Sequence, residues 1–407
     1  MKESLQILLQ DKDTFGSYLL MALAFSISIS VAGTNVILGL LLLLWLWERE
    51  YTTRFYIIKN NPFIYIVLAL VLMHLVGCIW SENLLMAGET LRRAWKLMFI
   101  PFLMMFVKKE HVWYYLQAFV LGIMISEILT YLVWLDIISP FMHATNEMPS
   151  PLMKHTYYTP YVAIASVLLI YFLMYKEHKT NVQKAITIFF LSTMLLNLFI
   201  AGGRGGQVGF FVLFFVLILY YFREKILKGV VIFSIISTIL LSLAYQFVPL
   251  FESRVDKGIH EVTHFTPGVQ TTSLGIRLAL NKNYFEVFSE NHWLGVGTGD
   301  YMDAYKEVNQ NSKFQTDITH PHNMYMLILV QFGLVGTIIF LAIFAYQLFY
   351  GFKIKDDLQV LRIAFPLFFV VIMTVNWYLY TFHTLFLFIF FSTILYHKYD
   401  TKVTILD

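Results

Sequence analysis

Long apolar runs separated by short polar breaks dominate this chain. A membrane helix needs roughly 20 predominantly apolar residues. Runs near that length fall at 18–31, 35–47, 63–80, 97–107, 112–138, 157–175, 185–201, 207–222, 229–248, 324–350, 363–380 and 385–396. The pattern predicts an all-α polytopic membrane protein with about twelve spans. The first two runs are short and are also compatible with one long helix broken at Ala32-Gly33-Thr34; the fourth is short as well. One stretch breaks the rhythm: residues 249–323 contain no run long enough to span. Long polar loops carry function on a scaffold that positions them. The chain therefore divides into an N-terminal bundle (1–248), a polar loop (249–321) and C-terminal helices (322–407).

Composition agrees with this class. The chain of 407 residues is 58% hydrophobic and 14% charged, with mean hydropathy +0.66. A soluble domain carries about a quarter charged residues. The net charge of +3 is too small to imply nucleic acid. The single Cys78 excludes an intramolecular disulfide and a Cys-based metal site. Residues 1–14 lack a signal-peptide pattern, so no cleavage is expected. No repeat of 20–50 residues is evident.

Basic residues orient the chain. With twelve spans, 18 of the 29 Lys and Arg fall on the side of the termini and 5 on the short loops opposite. The positive-inside rule then puts the long loop outside the cytoplasm. Merging the first two runs moves only Lys2 and Lys12.

Arg204 runs against that rule. It lies in Ala201-Gly202-Gly203-Arg204-Gly205-Gly206 between two apolar runs. Glycines permit close backbone approach, and free N–H groups at a helix start attract anions. A guanidinium adds bidentate phosphate recognition. The competing reading is an arginine that snorkels to headgroups.

Within the loop, Thr266-Pro267-Gly268 reads as a turn. Thr271-Thr272-Ser273 offers an N-cap for a helix from Leu274. On that helix Arg277, Asn281, Tyr284 and Phe288 share a face; a surface salt bridge is the alternative for Arg277. The alternating glycines of Gly295-Val296-Gly297-Thr298-Gly299-Asp300 lack the spacing of a dinucleotide motif. They read as a tight turn against the membrane face. Asp300 and Asp303 read as solvated acids rather than metal ligands.

His320-Pro321-His322-Asn323 precedes the next apolar run. His-x-His can bind a transition metal, but no third ligand is near in sequence. Pro321 suits a first helical turn. The positive end of a helix favours neutral imidazole, and neutral His322 suits a general base. The alternative is an interfacial histidine. Gly333-Leu334-Val335-Gly336 reads as a close helix contact. Glu127 is expected to face the bundle interior and Asp136 to be wet. Trp377, Tyr378, Tyr380 and His383 read as an interfacial aromatic belt that could also line a sugar groove.

Three patterns coincide: the Gly-Gly-Arg204-Gly turn; Thr272-Ser273-Leu274-Gly275-Ile276-Arg277-Leu278 with the later Gly-Val-Gly-Thr-Gly-Asp-Tyr; and His322-Asn323 followed by Gly333 and Gly336. Together they resemble the O-antigen ligase/polymerase superfamily over about residues 195–335. The Thr-Ser-Leu-Gly-x-Arg-Leu run and His-x-His-Asn look more like the ligases. The resemblance implies a GT-C-like fold with one long periplasmic loop. It implies a metal-independent, inverting glycosyltransferase without a cofactor, in the bacterial inner membrane. The donor would be an undecaprenyl-diphosphate-linked polysaccharide and the acceptor a sugar hydroxyl of the lipid A–core, in lipopolysaccharide biosynthesis. By the same resemblance Arg204 and Arg277, with Gly205, would hold the diphosphate and His322 would activate the acceptor. His320, Asn323, Lys154, His155, Arg92 and Arg93 are candidates for the acceptor groove. The turn reads Gly-Gly-Arg-Gly where the family often has Ser or Thr before the arginine, so that hydroxyl contact is not carried over. A polymerase using the same donor is the alternative. A lipid-glycan transporter is the third reading, with neither inverted repeats nor midplane charges to support it.

Overall fold

The computed structural model describes residues 12–175, 180–263, 273–312, 315 and 320–398. Among these residues the chain is helical, with no strand. It runs α1 (Lys12–Ser26), α2 (Val31–Glu48), α3 (Tyr51–Lys59), α4 (Pro62–Val76), α5 (Leu84–Ala94), α6 (Phe99–Met104), α7 (Val112–Trp134), α8 (His155–Tyr175) and α9 (Asn181–Ile200). Then come α10 (Arg204–Tyr221), α11 (Ile226–Phe247), α12 (Pro249–Thr263), α13 (Ser273–Glu290), α14 (Tyr301–Asn311), α15 (Met324–Lys353), α16 (Gln359–Ile372) and α17 (Phe382–Leu395).

Eight helices are long and apolar enough to cross a membrane: α2, α4 with its 3₁₀ extension, α7 to α11, and α15. Three shorter apolar helices accompany them: Thr14–Ser26 within α1, α16 and α17. The expected count of twelve is therefore not reached on length. The run at 97–107 is the clearest shortfall. It becomes a 3₁₀ turn (Trp95–Met98) and the six-residue α6, and six residues rise only about 9 Å. The first two runs stay separate helices. Their break lies before Ser30, whose Oγ caps α2 by accepting from Gly33 N at 3.0 Å, so Ala32-Gly33-Thr34 lies inside α2.

The core centres on α8, which packs on α10 while α10 packs on α16. Gly206 sets the α8–α10 approach: a Cβ there would lie 2.2 Å from the Thr159 carbonyl carbon and 2.5 Å from Pro160 N. In lipid, such contact supplies packing energy that hydrophobicity alone cannot. Glu127 is 1% exposed and faces the interior, and Asp136 is exposed.

The polar insert is mostly helical. It contributes α12, α13 and α14; Thr266-Pro267-Gly268 and the N-cap residues Thr271 and Thr272 lie outside the described residues. The glycine-rich segment between α13 and α14 does more than turn. It plugs a break in α15 at Gly333 (φ 59°, ψ −154°). Val296 N and Gly297 N donate to the Val330 and Gln331 carbonyls at 2.9 and 3.0 Å, and Leu334 N donates to His292 O at 2.9 Å. Thr298 Oγ1 reaches His74 O at 2.7 Å, joining the plug to α4. Broken backbone is tolerated at membrane depth only where protein satisfies it. Gly333 thus serves a helix break, not the helix–helix contact expected from Gly333 and Gly336.

Asp300 also departs from expectation. It is 7% exposed, not solvated. Its carboxylate accepts from Ser81 Oγ (2.8 Å), Glu82 N (2.7 Å) and Asn83 N (3.0 Å). Hydrogen bonds to an ionised group contribute about 1.5–3 kcal/mol each. They pin the insert to the turn that launches α5. Asp303 is more exposed and pairs with Lys306 at 2.8 Å.

Candidate catalytic site

Arg204 is the first residue of α10, after Gly203 as N-cap with no side-chain cap. Its first-turn N–H groups are the unsatisfied donors of an 18-residue helix. Gly202 (φ 74°) makes the turn before it. Gly205 is buried against Tyr378: a Cβ would lie 2.2 Å from the Tyr378 hydroxyl. Arg204 itself is exposed.

Two further arginines face it. Half-buried Arg277 comes from α13, and burial first and Arg204 second push its guanidinium below its ordinary value. Arg254, on α12, is lowered by the same two causes in the same order. Its Nη1 lies 2.8 Å from the position of a Gly202 Cβ, and its Nη2 donates to Met148 Sδ at 3.5 Å. Among the described residues none of these three arginines forms an ion pair with an acid. The salt bridge considered for Arg277 is therefore not formed there. Two partly buried arginines and the exposed Arg204 repel one another until an anion joins them.

His322 completes the cluster. It has φ 46°, a region unusual for a residue with a side chain. Its pKa is lowered by burial and then by Arg277, while the Asn376 side chain beside it acts in the opposite direction. His322 directly precedes the Asn323 cap of α15, which begins at Met324, so Pro321 lies before the cap and not in the first turn. Asn323 is that cap. Its Oδ1 accepts from Tyr325 N (3.0 Å) and Met326 N (3.4 Å), so its side chain holds the helix start in place.

The segment after α16 knits the site together. Asn376 stands against His322. Tyr378 lies against Gly205, within the field of Arg277. The Trp377 ring packs against His320 at a tilt, with centroids 4.3 Å apart. On the same indole lies Arg93, its Cζ 5.4 Å from the centroid. Tyr378 and Tyr380 are buried, so this is not the interfacial belt the composition suggested. Tyr380 hydrogen-bonds His74 Nε2 at 2.6 Å, and the carbonyl of His383 accepts from Tyr161 Oη at 2.6 Å.

The remaining candidates border the cluster. His155 opens α8 with Arg254 and Lys154 beside it; Lys154 is exposed. Arg92 is exposed at the end of α5. A cavity of about 570 Å³ lies between α10 and α12. Arg204 and Arg254 line it, and its other walls are apolar, including Val208, Phe251, Ile259 and Val262. A larger cavity of about 960 Å³, between α5, α13 and α14, is lined by Glu82, Glu286, Glu290, Asp303 and Glu307 and by no basic residue. Its charge opposes a phosphate, so the smaller cavity fits the arginines' chemistry.

Sequence reasoning missed Arg254 and Asn376 as site residues, and read Trp377 as part of an aromatic belt that could line a sugar groove. Arg254 sits among Glu252, Asp256 and Lys257, a mixture that reads as a solvated face. Its signal is the proximity of Arg204, visible only in space.

Membrane-length helices, a helical polar insert, and arginines gathered at the mouth of an apolar cavity define a polytopic membrane protein with an amphiphile-shaped basic site. Residues 188–341, from α9 through the insert to the middle of α15, match the family model described as O-antigen ligase. This match supports membership of the O-antigen ligase/polymerase family. This family's activity is of the glycosyltransferase-like ligase or polymerase class, on lipid-linked polysaccharide. Among curated proteins, none matches the chain.

Proposed function

We propose that this protein is an O-antigen ligase: an inverting, metal-independent glycosyltransferase of the bacterial inner membrane. Its donor is a polysaccharide on undecaprenyl diphosphate at the periplasmic face. Its acceptor is a sugar hydroxyl of the lipid A–core. The observation that carries this reading is the meeting of Arg204, Arg254 and Arg277, none of them ion-paired to an acid among the described residues, beside His322 and an apolar cavity.

The roles follow from charge. As the anomeric C–O bond breaks, negative charge grows on the diphosphate. Arg204 and Arg277 stabilise it, and preorganised charges cost no rearrangement at that moment. The free N–H groups around Gly205 add to the same field. His322 takes the acceptor proton as the new C–O bond forms on the opposite face, inverting the centre. The diphosphate linkage supplies the driving force, so nucleotide is not consumed. His320, Arg92 and Arg93 lie toward the approach of the acceptor, Lys154 and His155 stand beside Arg254 on the donor side, and Asn323 holds the His322 loop.

The test is purified full-length protein in vesicles with a defined lipid-diphosphate glycan and a lipid A–core acceptor, in EDTA and without ATP. One inverted linkage per acceptor is expected. Extension of one donor glycan onto another instead identifies a polymerase, and no transfer to either acceptor refutes both.

The pH profile checks the base. A depressed histidine pKa leaves imidazole neutral above that value and protonates it only below. The acidic limb of kcat/KM, which reports the free enzyme, should therefore have its midpoint below the ordinary 6.5. A midpoint above 6.5 would remove His322 from the role of base.

A further inference from the structure

A second basic cluster lies on the other side of the short 376–378 segment. Tyr378 meets Gly205 and Arg277 on the side of the three arginines. Trp377, the preceding residue, meets Arg93 and His320 instead. Asn376 stands at His322 between them. The imidazole therefore sits between two groups of cations.

The second group is ordered. The Trp377 indole holds Arg93 by cation–π contact and meets the His320 ring at a tilt of 39°, so one indole contacts both side chains. Tyr301 of the insert stands beside the same guanidinium. Arg93 remains 28% exposed, and its one acidic contact is the exposed Glu89 at 3.5 Å, an interaction of little energetic weight. One turn on, Lys96 Nζ lies 5.4 Å from the Phe382 ring centroid and has no acidic partner among the described residues. Asp300 fixes the start of α5 through the Glu82 and Asn83 N–H groups, so the helix that carries Arg93 is tied to the insert.

In an inverting displacement the nucleophile approaches opposite the leaving group. With the diphosphate on the Arg204–Arg277 side, the acceptor comes to His322 from the side of Trp377. We propose that Arg93 and Lys96 form an anion subsite for that acceptor, so the sugar receiving the glycan carries a phosphate or carboxylate near the reacting hydroxyl. Trp377 is a positioning residue that aims Arg93. This inference rests on the functional reading above for which side the acceptor uses.

The test is acceptor binding without donor, so that it does not depend on turnover. Calorimetry on the full chain in nanodiscs would compare a glucosyl disaccharide 6-phosphate with the same disaccharide after phosphatase treatment. The phosphorylated sugar should bind at least about tenfold tighter, the size of one charge-assisted hydrogen bond. Arg93→Ala should abolish that preference and Arg93→Lys should keep part of it; Trp377→Phe should keep more than Trp377→Ala. Equal binding of the two sugars to wild type would overturn the proposal, as would an undiminished preference in Arg93→Ala. Failure of the functional reading shows separately, as absent transfer with the anion preference intact.

Discussion

Alanine at His322 lowers the rate of glycan transfer by about 10²–10⁴-fold, the usual contribution of a positioned base, while the protein remains folded in the membrane. The side chain is not a packing element: it is half-exposed, and its neighbours are Arg277 and Asn376. Alanine at Arg204 or Arg277 has a comparable effect, about 10²–10³-fold for one stabilising donor. Its signature differs. The arginines meet the donor before and during bond breaking, so both donor KM and kcat change, whereas His322→Ala acts chiefly on kcat. Arg254 stands nearer the cavity wall, and its loss should raise donor KM with a smaller effect on kcat. The measurement is steady-state transfer in vesicles, with lipid-linked glycan of normal length accumulating in cells. Retention of more than a tenth of wild-type kcat by His322→Ala would refute the assignment.

Gly333→Val should remove folded protein from the membrane. At φ 59° and ψ −154° the backbone occupies a region nearly restricted to glycine, at about 1–3 kcal/mol of strain for another residue. A Cβ there would also lie 2.4 Å from the carbonyl carbon and oxygen of Trp293. Relief of that clash displaces the 292–300 plug and with it the hydrogen bonds to the Val330 and Gln331 carbonyls and from Leu334 N. At about 0.5–1.5 kcal/mol each, the three bonds and the strain together amount to about 2.5–7.5 kcal/mol. The control is Gly258→Ala: its Cβ would meet nothing within 4 Å, and alanine in a helix is favoured by about 0.5–1 kcal/mol. Thermal unfolding of detergent-solubilised protein distinguishes the two. A Gly333→Val protein as stable as Gly258→Ala would contradict the account of the plug.

Much of the site was legible along the chain, for a physical reason. Arg204 stands in a glycine turn on the side where the charge rule disfavours it, and His322 stands at the edge of a long apolar run. Such exceptions show in one dimension. Arg254, Asn376 and Trp377 carry no comparable mark. Glu252, Asp256 and Lys257 surround Arg254 in sequence, yet in space its guanidinium turns to Gly202 and Met148. Trp377 shares its composition with any interfacial aromatic segment, and only its contacts with His320 and Arg93 separate it from one.

The sequence by itself determined the solvent: apolar runs of membrane length, interrupted by a polar insert, allow no soluble fold. It also determined the reactive groups, because guanidinium and imidazole chemistry travels with the residue. The tertiary structure alone decided where α15 breaks and which side of His322 each cluster of cations occupies. Periodicity records which face of a helix is apolar, but not which distant carbonyl will accept a given N–H. In a low-dielectric interior an unmatched backbone group costs several kcal/mol. Pairing between the 292–300 segment and the broken helix therefore fixed the arrangement, and those partners belong to separate parts of the chain.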